Sequence, residues 1–387
     1  MSTYNRYAPT AATVRHHHTR EQVQALQEPW KRLEKRHPTP LASYDWFDAA
    51  MGAFSDLRTP AVVTLEREGR VTAMAPLGRV NRPLGPLEIL GCSILREPGE
   101  VLYETERDLE ELAGAMFRLG RPLHLWRLDA VSPVPDVLDR ESRNLGWIAI
   151  RDRAAIPRVE VAGTWAEFEK QRISSSRRSS FRRLRRKTER LAGVEPRMEV
   201  HDGADGTLDE KLRQLYTVEG SGWKGRGGSS LTAHDTVRGF FERYARSSSR
   251  DGRLRMFVLA AGDRILAMQL AEEYARRLWI YKIGHDDTWS GVSPGIQLMH
   301  EVVRYCFEQG LDACEFLGSD EPWLQIWANG SDERVGYRLY PRSLAGRAGF
   351  VIDEASRLAH SGRNRFIRQS ARAHRKSRPN RTGEGAE

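Results

Sequence analysis

The stretch from Arg277 to Gly318 constrains this chain more than any other. It reads as strand, small-residue turn, helix and strand: "RLWIYKIGHD", "DTWSGVS", "PGIQLMHEVVRYCFEQ" and "ACEFLG". A strand that returns to its sheet through a helix lies parallel to the strand it left, because a parallel pair needs a crossover whereas an antiparallel pair needs only a tight turn. The two runs just upstream, "RMFVLAA" and "RILAMQLAEE", are joined by short polar turns and read as an antiparallel meander. A meander feeding a parallel crossover gives a mixed sheet with helices, so the fold class is α/β with α+β-type mixed sheets.

The crossover helix follows from spacing. Ile296, Met299, Val303 and Phe307, flanked by Leu298, Val302 and Cys306, form an apolar stripe at a helical period. Ser293 is expected at the N-cap and Pro294 at the first helical position, where a missing N–H costs nothing. The amides of Gly295, Ile296 and Gln297 are then expected to lack helical acceptors and to carry the positive end of the helix dipole. Such an end attracts anions, phosphate above all. It would also lie just beyond the carboxyl end of a central strand, where α/β sheets tend to bind ligands.

The first half of the chain echoes this order. Helical patterns at Val23, Leu26, Trp30 and Leu33, and again from Tyr44 to Phe54, precede a hairpin in "AVVTLEREGRVTAMAPL". Its second strand, Arg70, Val71, Ala73 and Met74, overlays Arg264, Ile265, Ala267 and Met268. Each hairpin is followed by a helix and another strand, so two related units are expected, joined near Arg158 to Gly163. The expected division is a disordered residues 1–19, a first domain over 20–158, a second over 159–345 and a basic, largely disordered tail over 346–387. In the second unit "RVGYRLYP" is expected to close the sheet.

At 387 residues the chain suits two domains, and its 40% apolar content supports real cores. No apolar run is long enough to span a bilayer and the first residues lack a signal-peptide core, so a cytoplasmic location is expected. Cys92, Cys306 and Cys314 have no metal-ligand spacing and read as buried thiols. His16 to His18 read as a solvated run, and no metal is expected. The net charge of +9 is concentrated in two places, the tail and the segment Arg172 to Arg190, where nine of nineteen residues are basic. Phe181, Leu184, Thr188 and Leu191 should face inward there, leaving Arg178, Arg182, Arg185 and Arg186 outward for tRNA or another polyanion.

Four passages together, "SSSRRSSFRRLRRKTERL", "GSGWKGRGGSS", "YKIGHDD" through "SPGIQLMHEVV", and "CEFLGSDEPWLQIWA", resemble the GNAT acyltransferase superfamily. More narrowly, residues from about Trp165 to Pro341 look like the acetyltransferase domain of CelD-type proteins associated with cellulose biosynthesis. The suspected duplication is similar to the tandem arrangement of FemABX-type peptidyltransferases. The resemblance implies two tandem GNAT-like units and transfer of an acyl group, foremost acetyl, from acyl-CoA to an amine or hydroxyl, in polysaccharide or cell-envelope metabolism. It implies pantetheine along the third meander strand at Tyr281 and Ile283, and pyrophosphate at Ser293, Gly295, Ile296 and Gln297. The family's Tyr-Lys pair stands here as Trp323 and Leu324. An aminoacyl-tRNA donor, or a non-catalytic polyanion-binding module, is the alternative.

Acyl transfer needs a base for the acceptor and donors for the thioester oxygen. Asp286 follows the third meander strand, and Asp320 and Glu321 follow the next strand on the same edge, so these acids are the candidates. His285 is a further one. Trp223 and Lys224, in the Gly-rich loop, suit a lid that closes on an anionic substrate.

Overall fold

The protein is described by a computed structural model over residues 12–221 and 234–358. Its strands are β1 (Thr13–His17), β2 (Arg58–Pro60), β3 (Val62–Arg67), β4 (Arg70–Ala75), β5 (Leu77–Val80), β6 (Leu87–Ile89), β7 (Leu102–Tyr103), β8 (Leu123–Asp129), β9 (Gly146–Glu160), β10 (Arg197–His201), β11 (Leu254–Ala261), β12 (Arg264–Tyr274), β13 (Arg277–His285), β14 (Ala313–Glu315) and β15 (Gly330–Pro341). The α-helices are α1 (Arg20–Gln24), α2 (Gln27–Glu34), α3 (Tyr44–Ala53), α4 (Cys92–Leu95), α5 (Glu106–Arg118), α6 (Val134–Leu145), α7 (Trp165–Arg172), α8 (Ser175–Ala192), α9 (Leu208–Ser221), α10 (Asp235–Arg250) and α11 (Pro294–Glu308).

The expected meander and crossover are both present. β11, β12 and β13 pair antiparallel in order, and α11 carries the chain to β14, which lies parallel to β13. The first half repeats the device, with β6 and β8 parallel and α5 between them. This is a mixed α/β architecture of two tandem GNAT-like units. One sheet of eleven strands runs through both, in the order β10-β11-β12-β13-β14-β9-β15-β8-β6-β5-β2, and β1, β3, β4 and β7 make a second sheet.

The central strands are exchanged. β9, which ends the first unit, pairs with β14 of the second, while β15, which ends the second, inserts between β9 and β8. "RVGYRLYP" therefore lies inside the sheet rather than closing it, because the long ladder with β9 outcompetes an edge position. The expected boundary near Arg158 falls within β9. Helix α3 also crosses over: Trp46 packs edge-on against Phe240 and Tyr244 of α10, in a core that includes Tyr281.

The ends of the chain differ from expectation. Thr13–His17, placed in a disordered terminus, pairs with β3, and His17 Nε2 lies 3.0 Å from Thr64 Oγ1. A β-branched stretch beside an open strand edge gains ladder hydrogen bonds that outweigh its exposure. The segment beginning at Gly346, expected to be mostly disordered, is helical as far as residue 358, and the rest of the tail lies outside the described residues.

On the basic helix α8, Phe181 and Thr188 are buried as expected, but Leu191 is 59% exposed near the helix end. Arg178 turns inward, donating to the carbonyls of Glu169 and Lys170 at the end of α7, where the last turn runs short of helical donors. Arg185 pairs with Glu195 and Glu301. Arg182 and Arg186 remain exposed. Among the described residues no helix is long and apolar enough to cross a membrane.

Candidate functional site

β13 and β14 pair only through Arg277–Trp279 and Ala313–Glu315, and then part. Two local features open them. An extra residue, Tyr281, interrupts the register of β13 against β12, where Leu270 faces Lys282 but Ala271 faces Ile280. A bulge of this kind bends its strand. Past β14, Leu317 and Gly318 take the left-handed conformation, with φ of 54° and 68°, and turn the chain away.

The gap is the mouth of a cavity of about 1120 Å³, large enough for a bulky ligand. The second unit lines it with Ile280 to Ile283, His285, Ser293, Gly295, Ile296, Phe316 to Ser319, Glu321, Trp323 and Leu324. The first unit supplies Ser93, Leu95, Arg96, Glu97 and His124 to Arg127, while Arg151, Asp152 and the β15 residues Gly336 to Arg338 complete the wall. Of the eight non-glycine residues with positive φ among the described residues, four line this cavity: Arg96, Arg127, Ser293 and Leu317. Such residues cost about 1–3 kcal/mol each and cluster where function holds them.

At the α11 start the geometry corrects the expectation. Ser293 is the N-cap residue and Pro294 opens the helix, but Ser293 sits at φ 51° and its hydroxyl caps nothing. The Ser293 carbonyl accepts from both Ile296 N and Gln297 N, at 3.1 and 3.2 Å. The Gln297 amide, at the fifth position from the cap, makes the first regular helical bond, so it was never an open donor. The Gly295 amide makes no backbone hydrogen bond among the described residues, and Gly295 lines the cavity. A Cβ at Gly295 would meet only His285, at 3.6 Å. The Gln297 side chain is buried and donates to Thr188 Oγ1 and the Val292 carbonyl, so it fastens α11 to α8.

The other expected residues divide. Tyr281 and Ile283 line the cavity, and the Tyr281 hydroxyl donates to Glu272 at 2.8 Å, with burial pushing its pKa well up. Glu321 lines the cavity and is exposed. Asp320 is outside it, accepting from Gln325 Nε2 at 2.6 Å. Asp286 caps the short helix that follows it, accepting from the Thr288 amide and hydroxyl, and opens on a separate hollow of about 500 Å³ beside α9. The structure thus does not bring Asp286 and Glu321 into one cavity. Trp223 and Lys224 lie outside the described residues.

The sequence reading missed the first unit's contribution. Glu97 is 6% exposed, its Oε2 has no hydrogen-bond partner, and the Gly318 backbone lies close to its carboxylate. Burial raises its pKa to about 7, against the opposing pull of Lys282 and Arg127. Arg127 donates to the Gly318 carbonyl at 2.5 Å and lies 3.6 Å from Asp152. Arg338 makes no ion pair among the described residues, and burial lowers its pKa. The basic helix comes close to the α11 start: Lys187 Nζ donates to the Gly291 carbonyl at 3.0 Å, two residues before Ser293.

Residues 175–324 match the acetyltransferase (GNAT) domain family. That span runs from the basic helix through the bulged β13, α11 and β14 to Leu324. Solved structures extend the likeness over both units. FemX is 11% identical with a TM-score of 0.56, covering 86% of this chain and 97% of its own. The C-terminal DUF2156 domain of an Agrobacterium fabrum protein described as a lysylphosphatidylglycerol synthetase is 9% identical with a TM-score of 0.52, covering 86% and 96%. A conserved protein from Bacteroides thetaiotaomicron is 9% identical with a TM-score of 0.50, covering 84% and 100%. At such identities the likeness is one of fold. No curated protein matches the sequence.

Proposed function

We propose that this chain is an acyltransferase that takes an acyl group, foremost acetyl, from acyl-CoA and passes it to an amine or hydroxyl. The observation that carries this reading is the parting of β13 and β14 beside a helix start whose Gly295 amide and dipole are unclaimed by any acid. The pyrophosphate would rest at Ser293, Gly295 and Ile296. The amide-rich pantetheine arm would lie along β13 at Tyr281 and Ile283, where β14 no longer occupies the neighbouring position. The thioester would then reach the centre of the cavity. On the far wall, Arg338 and its neighbours suit an acceptor that carries negative charge.

A second reading keeps the chemistry but changes the donor to an aminoacyl-tRNA. It is favoured by the exposed Arg182 and Arg186 of α8, the helix whose Lys187 bonds to the Gly291 carbonyl two residues before Ser293.

A thermal-shift titration separates the two, because a ligand that binds only the native state raises the melting temperature. Acetyl-CoA, longer acyl-CoAs and bulk tRNA would be compared at low and moderate salt. The acyl-CoA reading expects a salt-tolerant shift with a CoA ester, abolished by Gly295→Trp, which fills the space before α11. A shift with tRNA alone, steeply weakened by salt, would replace it with the second reading.

A further inference from the structure

Glu97 lies on the first unit, two residues past α4, yet its environment belongs to the second. Its carboxylate lies close to the backbone of Gly318, just beyond β14, and feels the charge of Lys282, on β13. It therefore stands across the opening where those two strands part. A carboxylate this deep is normally held by several donors or by an ion pair. Glu97 has neither: one oxygen is unpartnered, and no basic side chain lies within 4 Å among the described residues. Arg127, the nearest candidate from β8, is drawn instead to the carbonyls of Gly318 and Arg96 and to Asp152. Cys92, packed nearby, is a buried thiol with its pKa raised. The unpartnered oxygen is itself enclosed, and Glu97 forms part of the wall of the cavity.

We infer that Glu97 is the general base of this site, so that the first unit supplies the proton acceptor for a reaction whose donor is held by the second. This rests on the acyl-CoA reading above. In the step it serves, Glu97 takes a proton from the acceptor's N–H or O–H as the acceptor's lone pair attacks the thioester carbon. A C–N or C–O bond forms and the C–S bond breaks. The CoA thiolate leaves with the electron pair and is protonated by the proton Glu97 has collected or by solvent. A base of this kind works best with a pKa near the working pH, and burial places Glu97 there, at about 7. The acids picked from the sequence are less suited: Asp320 and Glu321 are exposed, and Asp286 caps a turn.

The test compares Glu97→Gln and Glu97→Asp with the native chain, using acetyl-CoA as donor, a panel of amino sugars and amino acids plus water as acceptors, and free-thiol release as the readout between pH 5 and 9. Acetyl-CoA binding is read separately by thermal shift. The expected result is unchanged acetyl-CoA binding in both variants, with kcat lowered about 100-fold or more in Glu97→Gln. The limb of the native pH profile that rises through pH 7 should vanish in Glu97→Gln and persist, at lower amplitude, in Glu97→Asp. Native kcat and an unaltered pH profile in Glu97→Gln would overturn the inference while leaving the donor reading intact. Native protein that neither binds nor cleaves any acyl-CoA would overturn the donor reading and this inference with it.

Discussion

The two units contain the same crossover, yet only one leaves its helix start open. In the first, α5 begins Thr105, Glu106, Arg107, Asp108; in the second, α11 begins Ser293, Pro294, Gly295, Ile296. Thr105 caps with its hydroxyl, and Asp108 is buried at the third helical position, accepting from Arg67 Nε at 2.8 Å and Thr72 Oγ1 at 3.0 Å. The positive end of α5 is thus neutralised from within. At α11 the residue matching Asp108 is Ile296, the cap hydroxyl is unused, and there is no acid in the first turn. One copy of the motif is closed by its own acid and the other carries none. The closed copy still serves the site, because the loop after β6 carries Glu97 into the other unit's cavity.

The largest expected effect sets the two buried acids against each other. Glu97 has its pKa raised by burial from 4.5 to about 7, so the folded state keeps a proton that the unfolded chain has lost between those values. Stability therefore falls as pH rises through that window, by about 3 kcal/mol in all, and the cost is complete above pH 7. Glu97→Gln should be more stable than the native chain at pH 8 and nearly equal to it at pH 4.5 by chemical denaturation. Asp108 behaves oppositely. Burial would raise its pKa, but the hydrogen bonds from Thr105, Arg67 and Thr72 outweigh that and lower it. Its contribution is present above the usual carboxylate pKa and is lost as pH falls through its depressed value. Equal pH slopes for Glu97→Gln and the native chain would mean that Glu97 is solvated and unstrained.

Asp108→Ala should cost about 2–3 kcal/mol, because it strips the half-buried Arg67 and the buried Thr72 of their shared acceptor. Arg67 keeps Glu111 at 2.5 Å, which limits the loss. Acetyl-CoA affinity should not change, since α5 does not line the cavity. A loss of donor binding here would show that the first helix is part of the donor site and that the contrast between the units is false.

The converse experiment installs the closed pattern in the open copy. Ile296→Asp places a carboxylate where Asp108 stands in α5, facing the position given to pyrophosphate. Acetyl-CoA affinity should fall about 10-fold or more through charge repulsion and loss of the dipole's pull. Ile296→Asn, nearly the same shape without the charge, should bind much more like the native chain. Equal affinities for the Asp and Asn variants would place the anion elsewhere.

How legible all this was depends on whether local sequence decides it. The meander, the crossover and α11 could be read because period and turn chemistry are written in consecutive residues. The same holds for the Gly295 opening, since glycine after proline at a helix start is a local pattern. The exchange of β9 and β15 could not be read, because both alternative pairings satisfy the same alternation and only the ladder across the whole sheet chooses between them. Glu97 was invisible for a related reason: in "GCSILREPGE" it looks like an ordinary loop acid, and it lies beside Gly318, more than two hundred residues away, only in the folded chain. Asp286 misled in the opposite way, because an acid after a strand is as apt to cap a turn as to face a ligand.

The smallest effect is the sharpest discriminator between the two helix starts, because one substitution should act with opposite signs. Thr105 has φ −135°, an ordinary extended cap, and its hydroxyl both accepts from the Asp108 amide and donates to the Asp108 carboxylate. Thr105→Gly removes both bonds and should destabilise by about 0.5–1 kcal/mol, a few tenths from the cap and the rest from the buried Asp108 carboxylate losing a donor. Ser293 has φ 51°, a conformation that costs a non-glycine residue about 1 kcal/mol, and its hydroxyl makes no capping bond. Ser293→Gly relieves that strain, against the added freedom glycine gives the unfolded chain, and should stabilise by about 0.5 kcal/mol. Denaturation curves for the two variants would settle the signs. If Ser293→Gly destabilised as Thr105→Gly does, the Ser293 hydroxyl would be a working cap rather than a group held in the cavity at a cost to the fold.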